Sequence, residues 1–255
     1  MIINFLRFTK VIIGDKELNS DDYNIQFKVN RSLSSDANDA EIKFTYINED
    51  TVSLFEKGKE IKIMAGYKKG IIGLIFSGTI DEVIEEEIND ILIIATEGNE
   101  VLRNKIINQS FSPGTKASLI VRKIIQEAEL TPGSINIPNE INYLRGKNFT
   151  ENVKDSLDKI ASENNCIWYE KKGMIYFHPE NYSPGKTFIN ANSGLLQFNK
   201  TTDGYTLITK LNSTLEENNI VEVEYNIDKK INVIIESVSH YSDDFTTHCE
   251  VSNYE

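Results

Sequence analysis

Histidine, tryptophan, cysteine and proline are all scarce in this chain of 255 residues, at 3, 1, 2 and 5 copies. With so few histidines, the usual base for nucleophilic catalysis near neutral pH is nearly missing, and His178, His240 and His248 have no GxSxG elbow beside them. Cys166 and Cys249 stand far apart, without CxxC or Cys/His spacing, so neither a disulfide framework nor a structural zinc site is implied. Isolated buried thiols are expected. No apolar run approaches the roughly 18 residues of a spanning helix, and the opening residues lack a basic region and a cleavage site. A protein made without secretion or membrane insertion is the expectation.

Positive charge is short as well. Against 39 acidic residues stand 27 basic ones, a formal net charge of −12. Nucleic-acid binders neutralise phosphates with clustered Lys and Arg, so this balance argues against specific binding of that kind. The basic pairs Lys68-Lys69, Lys171-Lys172 and Lys229-Lys230 read as solvated turns.

Alternation of period two dominates the first stretch. Ile25, Phe27 and Val29 alternate with polar residues, Ile42, Phe44 and Tyr46 do the same, and Ile61, Ile63, Ala65 and Tyr67 give a four-step run. Lys68-Lys69-Gly70 predicts a hairpin with the glycine free to take positive φ, leading into Leu74, Phe76, Gly78 and Ile80. A second hairpin is predicted from Val83 to Ile88, turning at Asn89-Asp90 into Ile91 to Ala95. Glu85-Glu86-Glu87 does not converge on a ligand, because alternation puts Glu86 on the face opposite Glu85 and Glu87.

The period then changes. Ser112-Pro113-Gly114-Thr115 is a turn ending in an N-cap, and Ala117, Val121, Ile124, Ile125 and Ala128 predict a helix stopping before Thr131-Pro132-Gly133. A second helix is predicted from Thr150, with Val153, Leu157, Ile160 and Ala161 on one stripe and Asn164-Asn165 ending it. A hairpin follows, Cys166 to Tyr169 and Met174 to Phe177 across a turn at 170–173. After a loop at 181–186, strands are predicted at Thr187 to Ile189, Leu207 to Leu211, Ile220 to Tyr225, Ile231 to His240 and His248 to Ser252. Val221, Val223 and Tyr225 mark the inner face of one of them. The fold class is α+β, mainly β: β over residues 1–97, an α+β module of two helices and a hairpin over 98–180, and β again over 181–255.

The search for chemistry returns little. His240 and His248 flank the turn Tyr241-Ser242-Asp243-Asp244-Phe245 and could meet across it with Asp243 or Asp244 around a metal, but no HExxH-like pattern supports that. Pro184-Gly185-Lys186-Thr187 fails as a phosphate loop, since Glu180 stands where the first glycine belongs and a strand follows where a helix is needed. The triplets at Asn108 and Asn148 are chance sequons. No catalytic, cofactor-binding or metal-binding residue is nominated, no cofactor is expected, and the chain reads as a scaffold or binding protein.

Four stretches together resemble a known family. The first is Ala40-Glu41-Ile42-Lys43-Phe44-Thr45-Tyr46-Ile47-Asn48, then Gly58 to Tyr67 with its Ala65-Gly66-Tyr67, then Ile75-Phe76-Ser77-Gly78-Thr79-Ile80. The second is Leu102-Arg103-Asn104 through Ser112-Pro113-Gly114-Thr115 and its helix; the third runs from Asn148-Phe149-Thr150 to Trp168-Tyr169 and on to His178-Pro179. The last is Ile208 to Leu215, Ile220 to Val223, and Ser237-Val238-Ser239-His240-Tyr241-Ser242-Asp243-Asp244. In order and spacing they resemble the baseplate hub proteins of phage tails and tail-like bacteriocins, the late-control protein D-like group. Family members are often longer, and Asn218-Asn219 stands where a family glycine is expected; Asn tolerates positive φ, so the turn survives.

The resemblance implies a non-enzymatic homotrimer in which each chain supplies two tube-like antiparallel β-barrel domains with the α+β module between them. Such a ring adapts a sixfold tail tube to a threefold central spike. Implied partners are the tail tube, spike, tape-measure and baseplate wedge proteins, in a virion tail or tail-like particle assembled from protein made in the bacterial cytoplasm. DNA could pass the channel without specific binding. Two rival readings are a tail-associated cell-wall hydrolase, which needs converging acids or a nucleophile with a base, and a carbohydrate- or receptor-binding β module, which needs a row of exposed aromatics. Tyr23, Tyr46, Tyr67 and Trp168 read instead as inward-facing or isolated.

Overall fold

The computed structural model describes residues 5–32, 38–87, 89–97, 100–171, 174–179, 186–227 and 229–254. The opening residues 1–4, the turn at 172–173, most of the 181–186 loop with its Pro184-Gly185, and Ile88 lie outside them. The architecture is mainly antiparallel β with few helices. It divides into two compact units, Met1–Glu97 with Ser183–Glu255, and Gly98–Tyr182.

Among the described residues of the first unit, thirteen strands form one sheet. Its path runs Leu195–Lys200, Tyr205–Lys210, Thr246–Asn253, Lys229–Tyr241, Asn24–Ser32, Asp39–Thr45, Asp90–Thr96, Ile72–Glu87, Glu60–Tyr67, Arg7–Ile13, Lys16–Asn19. Ile220–Asn226 branches off beside Lys229–Tyr241 and carries Lys186–Ile189 in parallel. The sheet encloses two apolar cores. Val11, Phe27, Ile42, Phe44, Ile63 and Phe76 belong to the first, with Leu211 and Phe245 reaching in from the C-terminal half. Leu207, Val221, Val223, Val233, Ile235 and Val251 belong to the second.

Period-two reading places most of these side chains correctly. Ile25, Phe27, Val29, Ile42, Phe44 and all four of Ile61, Ile63, Ala65 and Tyr67 are buried, each large apolar side chain contributing about 1.5–3 kcal/mol of transfer free energy. The exceptions follow from the backbone. Tyr46 leaves the pattern because its φ of 58° turns the chain at the strand end, so it is 89% exposed. Tyr225 sits at a register shift between Glu224 and Asn226 and faces outward too. Ile72–Glu87 is one 16-residue strand in place of two shorter pieces, its breaks in alternation absorbed as bulges. At one of them Ile75 and Phe76 are buried in succession. Gly70 does not take positive φ, whereas Asn89, in the next hairpin turn, does. The expected Asn218 substitution for glycine holds, with φ 65°. Leu195–Lys200 and Lys16–Asn19 were not anticipated as strands.

The second unit has its own core around two helices, Ala117–Glu127 and Val153–Glu163. Val121, Ile124, Ile125, Val153, Leu157, Ile160 and Ala161 are all buried, as the spacing predicts. The N-caps differ from expectation. Lys116 occupies the first cap without a side-chain bond, while Thr115 Oγ1 donates to Ser112 O at 2.7 Å and Glu140 accepts the Ser118 amide at 3.0 Å. The second cap is Asn152, whose side chain accepts from Asp155 N at 2.8 Å, and not Thr150. Asn164 and Asn165 do end that helix. Thr131-Pro132-Gly133, read as a stop, enters an edge strand, Thr131–Ile135, parallel to Met174–Pro179. The Cys166–Lys171 and Met174–Pro179 hairpin pairs in register as expected.

Candidate functional site

The feature that organises the first unit is the seam between its N- and C-terminal halves. Asn24–Ser32 pairs antiparallel with the end of Lys229–Tyr241, from Ser237 opposite Ser32 to Tyr241 opposite Lys28. Inward parity along Ile25, Phe27 and Val29 continues to Arg31, so the strand pushes a guanidinium toward the interior. There Arg31 Nε binds Glu217 at 2.9 Å and its Nη2 lies 3.5 Å from Glu97, all three side chains about 10% exposed. Asn38 Nδ2 donates to the other oxygen of Glu97 at 2.6 Å, and Asn38 Oδ1 accepts from Ser32 N at 2.8 Å. Burial opposes the charge on Arg31, but the fields of Glu217, Glu97 and Glu216 outweigh it and hold the guanidinium more firmly protonated than usual. Sequence reasoning passed over this cluster, although the parity of Arg31 carried the signal.

Its neighbours on that face are neutral. His240 is 2% exposed, and burial, aided by the charge of Arg31, pushes its pKa down to about 3. Thr247 Oγ1 accepts the Asn212 amide at 2.9 Å and shares a hydrogen bond with His240 Nδ1 at 2.9 Å. Burial, with the field of Glu217, raises the Cys249 thiol. These groups fill and satisfy an interior; none is poised for proton transfer at neutral pH.

The histidine pair considered for metal binding comes apart here. His240 stands opposite Thr247 and His248 opposite Ser239, so consecutive register positions send the two rings to opposite faces. His248 Nε2 contacts Thr246 Oγ1 at 3.1 Å, and that hydroxyl donates to Asp244 at 2.5 Å. His178 belongs to the second unit, stacked with Tyr169 and Tyr176, and burial lowers its pKa. Among the described residues no group of three or more His, Cys, Asp or Glu is placed to hold a metal ion. Glu86 pairs with Lys43 at 2.6 Å on the sheet surface. Cys166 and Cys249 are free and buried.

The four aromatics weighed above, Tyr23, Tyr46, Tyr67 and Trp168, do not share an exposed surface row. Tyr23 packs edge-on against Phe44, Tyr67 is buried against Phe245, and Trp168 is half-buried on Phe177 with its indole N–H on Asp158 at 2.7 Å. Tyr46 alone of the four stands out in solvent.

What remains open is backbone. Leu195–Lys200 and Lys16–Asn19 end the sheet path, and each has a neighbouring strand on one side only among the described residues. Unpaired strand edges of this sort invite a partner. In the second unit, burial, with a hydrogen bond to Glu163 at 2.6 Å, raises the Tyr143 hydroxyl. Lys147 completes that group as a salt bridge to Glu163.

No family model and no curated protein matches the chain by sequence. Solved structures match its fold. A tail protein from Neisseria meningitidis gives a TM-score of 0.67 at 8% identity, over 97% of this chain and 96% of that one. A 43 kDa prophage tail protein from Shewanella oneidensis gives 0.66 at 9% identity, over 96% of each chain. An Escherichia coli component of the type VI secretion system, described as structurally similar to T4 bacteriophage tail proteins gp27 and gp5, gives 0.65 at 12%, over 96% of this chain and 77% of that one. At such identities the shared property is the fold, and the likeness to phage tail proteins that the sequence motifs carried is present in it.

Proposed function

We propose that this chain is a baseplate hub component of a phage tail or tail-like injection particle, acting as a structural part and not as an enzyme. Three copies form a ring, and each contributes two tube-like barrels, residues 1–97 and 181–255, with the α+β module of 98–180 between them in the chain. The supporting observation is one sheet that carries two β halves, each around its own apolar core. Two halves in each of three chains give six similar positions, which suits a sixfold tube above and a threefold spike below.

The open edges at Leu195–Lys200 and Lys16–Asn19 favour the same reading, since neighbouring copies or tube subunits can satisfy them. Tube, spike, tape-measure and wedge proteins are the partners of such a hub. An acidic chain also suits a channel wall from which passing DNA is repelled. Sedimentation of the purified protein should show trimers or larger rings; a monomer at every concentration and salt overturns the proposal. Zymography on bacterial cell walls should show no clearing.

A further inference from the structure

The Gly98–Tyr182 unit has an open strand edge of its own. Gln109–Phe111 has one neighbour among the described residues, Lys147–Phe149, with Gln109 opposite Phe149, Ser110 opposite Asn148 and Phe111 opposite Lys147. Further along in the same register, Ile107 N donates to Glu151 O at 2.8 Å and Val153 N to Lys105 O at 3.0 Å. Antiparallel pairs alternate between those that exchange hydrogen bonds and those that do not. The odd-numbered residues from Lys105 to Phe111 therefore bond to this neighbour, and the N–H and C=O of Ser110 point away from it.

That strand borders a groove of about 730 Å3, lined by Ser110 and Ser112 on one side and by Leu119, Lys123, Gln126 and Glu127 of Ala117–Glu127 on the other. Strand and helix run in opposite directions along it. At the Leu119 end Thr115 Oγ1 donates to Ser112 O at 2.7 Å, and at the far end Glu129 pairs with Lys105 at 3.2 Å. Leu119 is 51% exposed. Lys123 and Glu127 stand four apart, a spacing at which helices pair opposite charges, yet Lys123 Nζ turns to Gln126 Oε1 at 3.2 Å. Neither charge has an ion-pair partner among the described residues. Four helical residues advance about 6 Å and two strand residues about 6.7 Å. Leu119, Lys123 and Glu127 are thus spaced to meet every second residue of an extended chain.

We infer that this groove takes an extended segment of a separate partner protein, added antiparallel to Gln109–Phe111, with an apolar residue over Leu119, an acidic one at Lys123 and a basic one at Glu127. An added strand meets both outward groups of Ser110, and the order of charges selects its sequence. The order apolar-x-acidic-x-basic occurs once in this chain, from Trp168 through Glu170 to Lys172. There Trp168 is already stacked on Phe177 with its N–H on Asp158, so a second copy has no free segment of this kind to offer. The contact is independent of the ring proposed above, whose open edges lie in the other unit.

The test measures fluorescence anisotropy of a labelled peptide, acetyl-Thr-Leu-Thr-Glu-Thr-Lys-Thr-amide, titrated with the full chain. A control peptide with Glu and Lys exchanged should bind about tenfold more weakly. Lys123→Glu combined with Glu127→Lys should reverse that preference. Ser110→Pro removes the outward N–H while sparing the bonds to Lys147–Phe149, and should weaken both peptides about tenfold. Circular dichroism checks that each variant keeps its fold; the charge reversal, at exposed positions, decides the matter if the proline does not. No saturable signal up to about 1 mM overturns the groove as a strand acceptor. Equal binding of the two peptides, or tighter binding of the control, overturns the assigned charge order. Binding untouched by Ser110→Pro in a folded protein overturns strand addition. Sedimentation of Ser110→Pro should match wild type; dissociation of the assembly puts a second copy in the groove and overturns the separate partner.

Discussion

Replacing Arg31 with Met probes the seam between the two β halves. The change keeps much of the side-chain volume but strands Glu97 and Glu217, each about 10% exposed, without their cation. Removing one partner from a buried ion pair costs about 3–5 kcal/mol, because the remaining charge keeps its desolvation penalty. Asn38 still donates to Glu97, so the expected loss lies toward the lower figure, about 3 kcal/mol. For a folded unit of this size that corresponds to a fall in Tm on the order of 10 °C. The measurement is urea and thermal unfolding by far-ultraviolet circular dichroism, at one fixed protomer concentration because association shifts Tm. Lys10→Met is the control: its pair with Glu17 is largely exposed, and its loss should stay below about 1 kcal/mol. A deficit no larger than that of Lys10→Met refutes the account of the seam.

Further outcomes follow from other sites. His240 stays neutral down to about 3 when folded, against about 6.5 when unfolded, so the unfolded chain alone binds the proton between those values. Stability should therefore fall as pH drops through that window, by about 4 kcal/mol at roughly 1.4 kcal/mol per pH unit. Urea unfolding of His240→Gln should lack this acid slope, and equal slopes in the two proteins count against the assignment. Asn152→Ala removes the cap of Val153–Glu163 and should cost about 1 kcal/mol, while Asn152→Asp retains most of it. Leu157→Ala, at a fully buried position, should cost about 2–5 kcal/mol, read from the fluorescence of Trp168 in the same unit, the one tryptophan of the chain.

Local order was legible in the sequence where one physical rule governed. Alternation placed Ile61 to Tyr67, and helical spacing placed Val153 to Ala161, because burial of one face dominates both. It failed where backbone geometry intervened: at Tyr46 the chain turns out of the strand, and at Tyr225 the register slips. Leu195–Lys200 escaped notice because an edge strand with half-exposed residues shows weak alternation. The Arg31 cluster was invisible for another reason. Glu97 and Glu217 come from separate parts of the chain, and only strand pairing reveals that they converge. The same holds for the histidines, whose separation into opposite faces is decided by a register that differs by a single residue.

The seam also sets a schedule for folding. Asn24–Ser32 emerges from the ribosome early, yet one of its two neighbours in the sheet, Lys229–Tyr241, follows only about two hundred residues later, roughly 10–40 s at bacterial rates of synthesis. Through most of that interval the N-terminal half carries an unpaired strand edge, with Arg31 facing Glu97 but not yet Glu217, and that edge is open to wrong pairing with other nascent chains. High contact order of this kind slows folding as well. Translation that stalls before Tyr241 is therefore expected to yield insoluble product, whereas completion of that strand converts the same edge into the interior of a sheet.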